Sequence, residues 1–157
     1  MWRGVPSTSI EKRGPLLSGA EAERFVRETG VDALAVSVGT AHGVYRVRQP
    51  RIDYERVAAI RARTAVHIVL HGGSGVPAEM LGRAIGLPGG GISKVNIATD
   101  LELAALAALG RKERLSDAGY RALPQAEMLA AASAVEATVR DKIANFVRSR
   151  GWADGRG

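Results

Sequence analysis

The apolar residues of this chain fall into three short runs, and each run ends where glycine or polar residues take over. The runs cover residues 31–38, 66–70 and 94–98. Apolar residues at nearly every position are typical of strands that are buried on both faces. The ends of the runs recur about every 30 residues, which is the length of one βα unit. The pattern therefore predicts three parallel strands joined by right-handed crossovers.

Helical signals fill the stretches between these runs. Ser18 and Glu21 have the spacing of a capping box, which predicts a helix that continues to Thr29 and ends at Gly30. Asp53 is the predicted N-cap of the next helix. Further helices are predicted over residues 54–63, 77–85, 100–109 and 124–148.

Length and composition limit the organisation of the chain. Its 157 residues, 46% of them hydrophobic, are enough for one buried core. We expect an irregular N-terminal segment at residues 1–18, one domain at residues 19–150 and a frayed tail at residues 151–157. No apolar run approaches the roughly 20 residues that span a bilayer, so no membrane partner is expected. The absence of cysteine fits the reducing cytoplasm.

The formal charge of +6 is concentrated in arginine. Six arginines lie between Arg46 and Arg63 and are opposed there only by Asp53 and Glu55. Clustered arginines bind the phosphates of nucleic acids. Aromatic residues are only 4% of the chain, however, and no stacking platform or recognition helix accompanies the cluster. The pattern favours a solvated helix face with its connecting loop, and no nucleic-acid partner is expected.

Two histidines follow the first two predicted strands. His42 and His71 lie just beyond the ends of these strands, and the carboxyl ends of parallel strands meet at one edge of a sheet. The two imidazoles are candidate ligands of one Zn²⁺ ion, and the alternative is a pair of hydrogen-bonded structural histidines. The third histidine, His67, lies about 13 Å from His71 on the same strand, so we expect it to be structural.

Glycine and hydroxyl residues follow the second and third strands. Residues 72–75 read Gly-Gly-Ser-Gly, and residues 96–99 read Asn-Ile-Ala-Thr. Glycine loops bring backbone N–H groups close to an anion, and serine and threonine hydroxyls add donors. The same residues also suit tight turns, with Thr99 or Asp100 capping the following helix. A phosphate site and a structural role both remain open on the pattern alone.

Three segments together are more specific. GTAHG at residues 39–43, LHGGSG at 70–75 and KVNIATDL at 94–101, in this order, closely resemble the zinc-dependent class II ketose-bisphosphate aldolases, which include the fructose- and tagatose-bisphosphate enzymes. The resemblance covers residues 19–148. It implies an α/β fold, the C-terminal part of a TIM (β/α)8 barrel with about three parallel strands and flanking helices. It also implies a cytoplasmic lyase of carbohydrate metabolism, such as glycolysis.

The resemblance assigns roles to particular residues. It implies that His42 and His71 bind Zn²⁺. It implies that a phosphorylated sugar binds through its dihydroxyacetone phosphate part, with contacts from Gly43, Gly72, Gly73, Ser74, Asn96, Ile97, Ala98 and Thr99. Enzymes of this family polarise the triose carbonyl with zinc and join the resulting enediolate reversibly to an aldehyde.

The resemblance covers only the later part of a barrel. A complete barrel takes about 250 residues, and the family's third zinc histidine and its proton-transferring aspartate are expected in an N-terminal half. No catalytic residue is therefore assigned to this sequence, and we expect the chain alone to be impaired. We expect it to form a homo-oligomer or to be complemented by an N-terminal half. The alternative is an inactive aldolase remnant that binds phosphate metabolites or a partner chain. The choice between fructose and tagatose substrates stays open.

Overall fold

The computed structural model describes residues 16–40, 50–151 and 155. Within them, helices alternate with strands and a helical C-terminal part follows. The elements in chain order are α1 (Gly19–Thr29), β1 (Ala33–Val36), α2 (Tyr54–Arg61), β2 (His67–Leu70), α3 (Ala78–Ile85), β3 (Ile92–Val95), α4 (Thr99–Ala108), α5 (Asp117–Arg121), α6 (Gln125–Asp141) and a π-helix (Lys142–Phe146). The alternation confirms the predicted α/β class.

The three strands form one parallel sheet in the order β1-β2-β3. Ala35 of β1 lies opposite Val69 of β2, and Val69 lies opposite Lys94 of β3. An irregularity between Ile68 and Val69 shifts the register of the second pair. Because the strands are parallel, their carboxyl ends meet at one edge of the sheet, as the sequence predicted.

The core lies on one face of this sheet. Leu34 and Val36 of β1 and Ile68 and Leu70 of β2 are buried there. Helices α2 and α3 supply Val57, Ile60, Leu81 and Ala84 to the same core. Ala33 and Ala35 point to the other face and are exposed. The prediction that the first strand is buried on both faces is therefore wrong, because no described helix covers its second face.

Local signals placed α1 correctly. The hydroxyl of Ser18 accepts a hydrogen bond from the N–H of Glu21, and the Glu21 carboxylate accepts one from the N–H of Ser18. Gly30 ends the helix in the left-handed conformation, with φ of 66°. The predicted capping box and C-terminal glycine are both confirmed.

Other boundaries differ from the prediction. The third strand starts at Ile92 and ends at Val95, two to three residues earlier than expected, because Ile92 already pairs with Ile68. The short helix α5 was not predicted, and the last long helix ends at Asp141 and continues as the π-helix. In the described part of the chain, no helix is long and apolar enough to cross a membrane.

Arginines of α2 and its C-terminal end contact neighbouring elements. Arg56 donates to the Asp53 carboxylate at 3.2 Å and to the backbone carbonyl of Leu17 at 3.1 Å. Arg63 forms a 2.9 Å ion pair with Glu23 of α1. The expected solvated arginine face is thus partly engaged within the fold, because α1, the residue Leu17 before it and the N-cap of α2 supply acceptors.

Candidate functional site

The loops after β2 and β3 are held together beyond the ends of their strands. The N–H of Asn96 donates to the carbonyl of Leu70 at 2.9 Å, and the N–H of Gly73 donates to the carbonyl of Asn96 at 3.0 Å. These bonds extend the parallel ladder into the two loops. As a result, residues 72–75 and 96–99 form one continuous surface at the carboxyl edge of the sheet.

This close approach requires glycine at position 73. A Cβ atom built on Gly73 would overlap the side chain of Val95 and would lie 3.0 Å from the carbonyl oxygen of Asn96. Gly72 has a φ of 68°, in the left-handed region that side chains rarely adopt. The Gly-Gly pair is therefore what allows the loop after β2 to fold against the end of β3.

Ser74 joins the loop after β2 to the start of α4. Its side chain is 4% exposed, and its Oγ accepts hydrogen bonds from the N–H groups of Ala98 at 3.3 Å and Asp100 at 3.2 Å. Ala98 is the N-cap residue of α4 and makes no cap bond with its own side chain. A serine from another loop thus takes the capping role that the sequence offered to Thr99 or Asp100. With two N–H groups donating to Oγ, the capacity left to the hydroxyl is its O–H donor.

Asp100 lies in the first turn of α4 and faces the same loop. Its Oδ1 accepts a hydrogen bond from the N–H of Gly75 at 3.1 Å. Its Oδ2 forms an ion pair with Nζ of Lys142 at 2.5 Å, and the two side chains are only about one fifth exposed. Neither Asp100 nor Lys142 was singled out as a site residue, since their proximity depends on the packing of α6 beside α4.

His71 lies at the carboxyl end of β2 and is partly buried. Its ring Nδ1 faces the side-chain amide of Asn96 at 3.5 Å, and Asn96 Oδ1 accepts a 2.7 Å hydrogen bond from Nζ of Lys94. The hydroxyl of Thr40 donates to the backbone carbonyl of His71 at 2.6 Å, which brings the segment after β1 to the end of β2. Thr40 was missed in the sequence, although it lies in the same GTAHG segment as His42.

The structure brings together eight of the predicted residues at one edge of the sheet: His71, Gly72, Gly73, Ser74, Asn96, Ile97, Ala98 and Thr99. Ile97 belongs to the same loop, and a Cβ on Gly73 would lie 3.3 Å from its side chain. His42 and Gly43 lie outside the described residues, so their place in the site stays a prediction. Within residues 16–40 and 50–151, no three histidine, aspartate or glutamate side chains are arranged to hold a metal ion.

His67 occupies the opposite end of β2 from His71. Its backbone N–H donates to the carbonyl of Asp32 at 3.1 Å, and its side chain lies at the amino edge of the sheet. The prediction that His67 does not share a site with His71 agrees with this placement.

Comparison with known proteins identifies aldolases as similar in sequence and in structure. Residues 8–151 match the family described as fructose-bisphosphate aldolase class-II, a range that includes part of the N-terminal segment set apart in the sequence. The YdjI aldolase of Escherichia coli K12 is 30% identical with a TM-score of 0.66, and the alignment covers 85% of this chain and 46% of that chain. A protein of Coccidioides immitis assigned as a fructose-1,6-bisphosphate aldolase is 28% identical with a TM-score of 0.72, covering 93% of this chain and 48% of that one.

The chain thus spans slightly less than half the length of these two structures. Its open sheet of three parallel strands with flanking helices is consistent with part of the TIM-barrel aldolase fold. The match over residues 8–151 shows that the chain belongs to the class II fructose-bisphosphate aldolase family.

Proposed function

We propose that this chain provides the phosphate-binding side of a zinc-dependent aldolase site. The reaction is the reversible cleavage of a ketose bisphosphate to dihydroxyacetone phosphate and an aldehyde. The observation that carries the proposal is the joined surface of residues 72–75 and 96–99, in which Ser74 fixes the start of α4. A role in carbohydrate metabolism such as glycolysis, which the family suggests, and a cytoplasmic location, which the absence of cysteine fits, form part of the proposal.

A phosphate group is the ligand that this surface suits best. The N-terminal end of α4 carries the positive end of the helix dipole. The Oγ of Ser74 accepts two hydrogen bonds within the protein, so its O–H is the group that it can offer to a phosphate oxygen. We assign the phosphate contacts to Gly43, Gly72, Gly73, Ser74 and Thr99, with Asn96, Ile97 and Ala98 lining the adjoining triose.

His71 fits the role of a metal ligand. It projects from the end of a buried strand, and its Nδ1 is 3.5 Å from the Asn96 amide, at the outer limit of a hydrogen bond. Imidazole nitrogens are preferred ligands of Zn²⁺. We propose that His42 and His71 hold Zn²⁺ together with a third ligand from outside this sequence. When bound, the ion supplies a Lewis acid for the triose carbonyl, a contribution of several kcal/mol.

The inactive remnant is the second candidate function. It is favoured by the length of the match, because the chain spans slightly less than half of the two similar aldolase structures. In that case the surface around Ser74 would still bind phosphate metabolites, and the uncovered face of β1 would contact a partner chain. If the chain is instead part of an active aldolase, an N-terminal half or a second copy would supply the remaining zinc ligand and the proton-transferring aspartate.

Zinc binding, triose binding and turnover separate these possibilities. We expect the purified chain to bind dihydroxyacetone phosphate but to cleave fructose or tagatose bisphosphate only weakly with added zinc. His42→Ala and His71→Ala should each lower zinc affinity, while the matched variant His67→Ala, at the other end of the sheet, should not.

Three results decide the outcome. Tight binding of one zinc ion per chain supports the enzyme, whereas weak binding unaffected by His71→Ala supports the remnant. Robust turnover by the chain alone, lost in His42→Ala, would contradict the expected need for another half. Failure to bind dihydroxyacetone phosphate would contradict the aldolase site and leave only a remnant that binds a partner chain.

A further inference from the structure

The π-helix places one cation against the phosphate surface. Lys142 is its first residue, and its Nζ lies 2.5 Å from Oδ2 of Asp100 and 4.3 Å from the centroid of the Phe146 ring. Phe146, at the last position of the π-helix, is 4% exposed and belongs to the core. The buried ring therefore fixes the π-helix against the domain and orients Lys142 toward α4. Single π-helical turns are rare and are frequently found at functional sites.

This ion pair differs from the surface pairs of the same helical region. The side chains of Lys142 and Asp100 are 19% and 20% exposed, whereas those of Arg140 and Glu136, one turn away on α6, are 77% and 63% exposed. Water and salt screen the exposed pair strongly and the partly buried pair much less. The charges of Lys142 and Asp100 therefore act on whatever binds beside them.

Asp100 has two roles that conflict at a phosphate site. Its Oδ1 accepts the N–H of Gly75 and so holds the loop after β2 in place. Its negative charge, however, lies beside the surface where a phosphate dianion would bind. Two neighbouring negative charges repel each other, which would weaken phosphate binding. A carboxylate can hold this loop without excluding an anion only if its charge is compensated.

We propose that Lys142 is a positioning residue that compensates the charge of Asp100, so that the loop at residues 72–75 can accept the phosphate of a sugar phosphate. The inference rests on the proposed function, because it takes that loop as the phosphate site. It adds a contribution from the C-terminal π-helix, through Asp100, that sequence motifs do not reveal. Lys142 acts without touching the substrate.

The test is a titration of the full chain with inorganic phosphate, in the absence of zinc, measured by isothermal titration calorimetry. Lys142→Met should weaken phosphate binding by roughly five- to tenfold, as expected for one uncompensated charge near a dianion. Asp100→Asn should tighten binding, because asparagine still accepts the Gly75 N–H while Lys142 is left unopposed. The double variant should return close to the wild-type affinity, and Lys142→Arg should stay within about twofold.

Lys112→Met is the matched control, since this exposed lysine follows α4 and its loss changes the net charge equally. We expect its phosphate affinity to equal that of the wild type. A merely structural role for Lys142 would leave the double variant at least as weak as Lys142→Met. Rescue by Asp100→Asn is thus specific to charge compensation.

The outcomes separate this inference from the proposed function. If the wild type binds phosphate but Asp100→Asn binds it equally or more weakly, compensation is overturned and the phosphate site stands. If the wild type binds neither phosphate nor dihydroxyacetone phosphate, both fall. Should Lys142→Met fail to fold, the comparison of Lys142→Arg with the double variant decides, because Lys142→Arg keeps the compensating charge on Asp100 and should stay near the wild-type affinity.

Discussion

Replacing Ser74 with alanine removes the hydroxyl that joins the two loops of the site. The N–H groups of Ala98 and Asp100 then lose their side-chain acceptor. A typical hydrogen bond contributes about 0.5–1.5 kcal/mol net, and loss of a helix cap costs about 1 kcal/mol. Because the two bonds are long, at 3.3 and 3.2 Å, we expect the free energy of unfolding to fall by about 1–2 kcal/mol. In a chain of this size each kcal/mol lowers Tm by about 2–4 °C, so the expected fall is about 2–8 °C.

The assay is thermal unfolding followed by circular dichroism, with and without phosphate. A ligand at about 100 times its Kd stabilises the folded state by about 2.7 kcal/mol, which raises the wild-type Tm. Ser74→Ala should lose most of this phosphate-dependent rise as well as part of its stability. The two effects are measured in the same scans.

Ser116→Ala is the matched control for Ser74→Ala. The Ser116 hydroxyl caps α5 by accepting the N–H of Gly119 at 3.1 Å, and it is exposed. Its loss should lower Tm slightly and leave the phosphate-dependent rise intact. The reasoning is refuted if Ser74→Ala unfolds at the wild-type temperature and keeps the full rise.

Three further predictions concern the scaffold of the site. Gly91→Ala should lower the free energy of unfolding by about 1–3 kcal/mol in urea, because the new Cβ would overlap the carbonyl oxygen of Ala84. An unchanged urea midpoint would contradict this packing. Leu81→Ala should cost about 2–5 kcal/mol in the same assay, since Leu81 is 0% exposed. The pKa of Glu21 lies below its ordinary value of 4.5 because its carboxylate accepts hydrogen bonds from the side chain and backbone of Ser18. The ionised carboxylate therefore stabilises the fold above pH 4.5, and this stabilisation is lost as the pH falls through the lowered pKa. Glu21→Gln should reduce the dependence of Tm on acid pH. An unchanged dependence would contradict the role of the Glu21 carboxylate.

Local signals predicted those parts of the fold that neighbouring residues determine. The capping box at Ser18 and Glu21 and the left-handed Gly30 act within one helical turn, so the sequence was enough to define α1. The order of three parallel strands followed from apolar runs separated by helices. The first and last residues of β3 could not be predicted in this way, because the pairing of Ile92 with Ile68 depends on the neighbouring strand.

The site was predicted unevenly for the same reason. The motif around Gly73 and Ser74 identified the loop, but it did not predict that Ser74 would cap α4, which begins after β3. The ion pair between Asp100 and Lys142 joins residues 42 positions apart along the chain, and only the packing of α6 on α4 brings them together. Resemblance therefore located the chemistry, and tertiary contacts were needed to show what holds it in place.

The two halves of the proposed site depend on this chain to different degrees. The phosphate surface is fixed by bonds among described residues: the ladder from Leu70 to Asn96, the Ser74 cap and the Asp100 contact with Gly75. The metal side has one described histidine, His71, and the second proposed ligand, His42, lies outside the described residues. The contacts that would hold the phosphate end of a substrate are thus the ones that this chain fixes by itself. Phosphate binding without turnover is then the expected behaviour of the chain alone, and it follows from which contacts are internal to the chain.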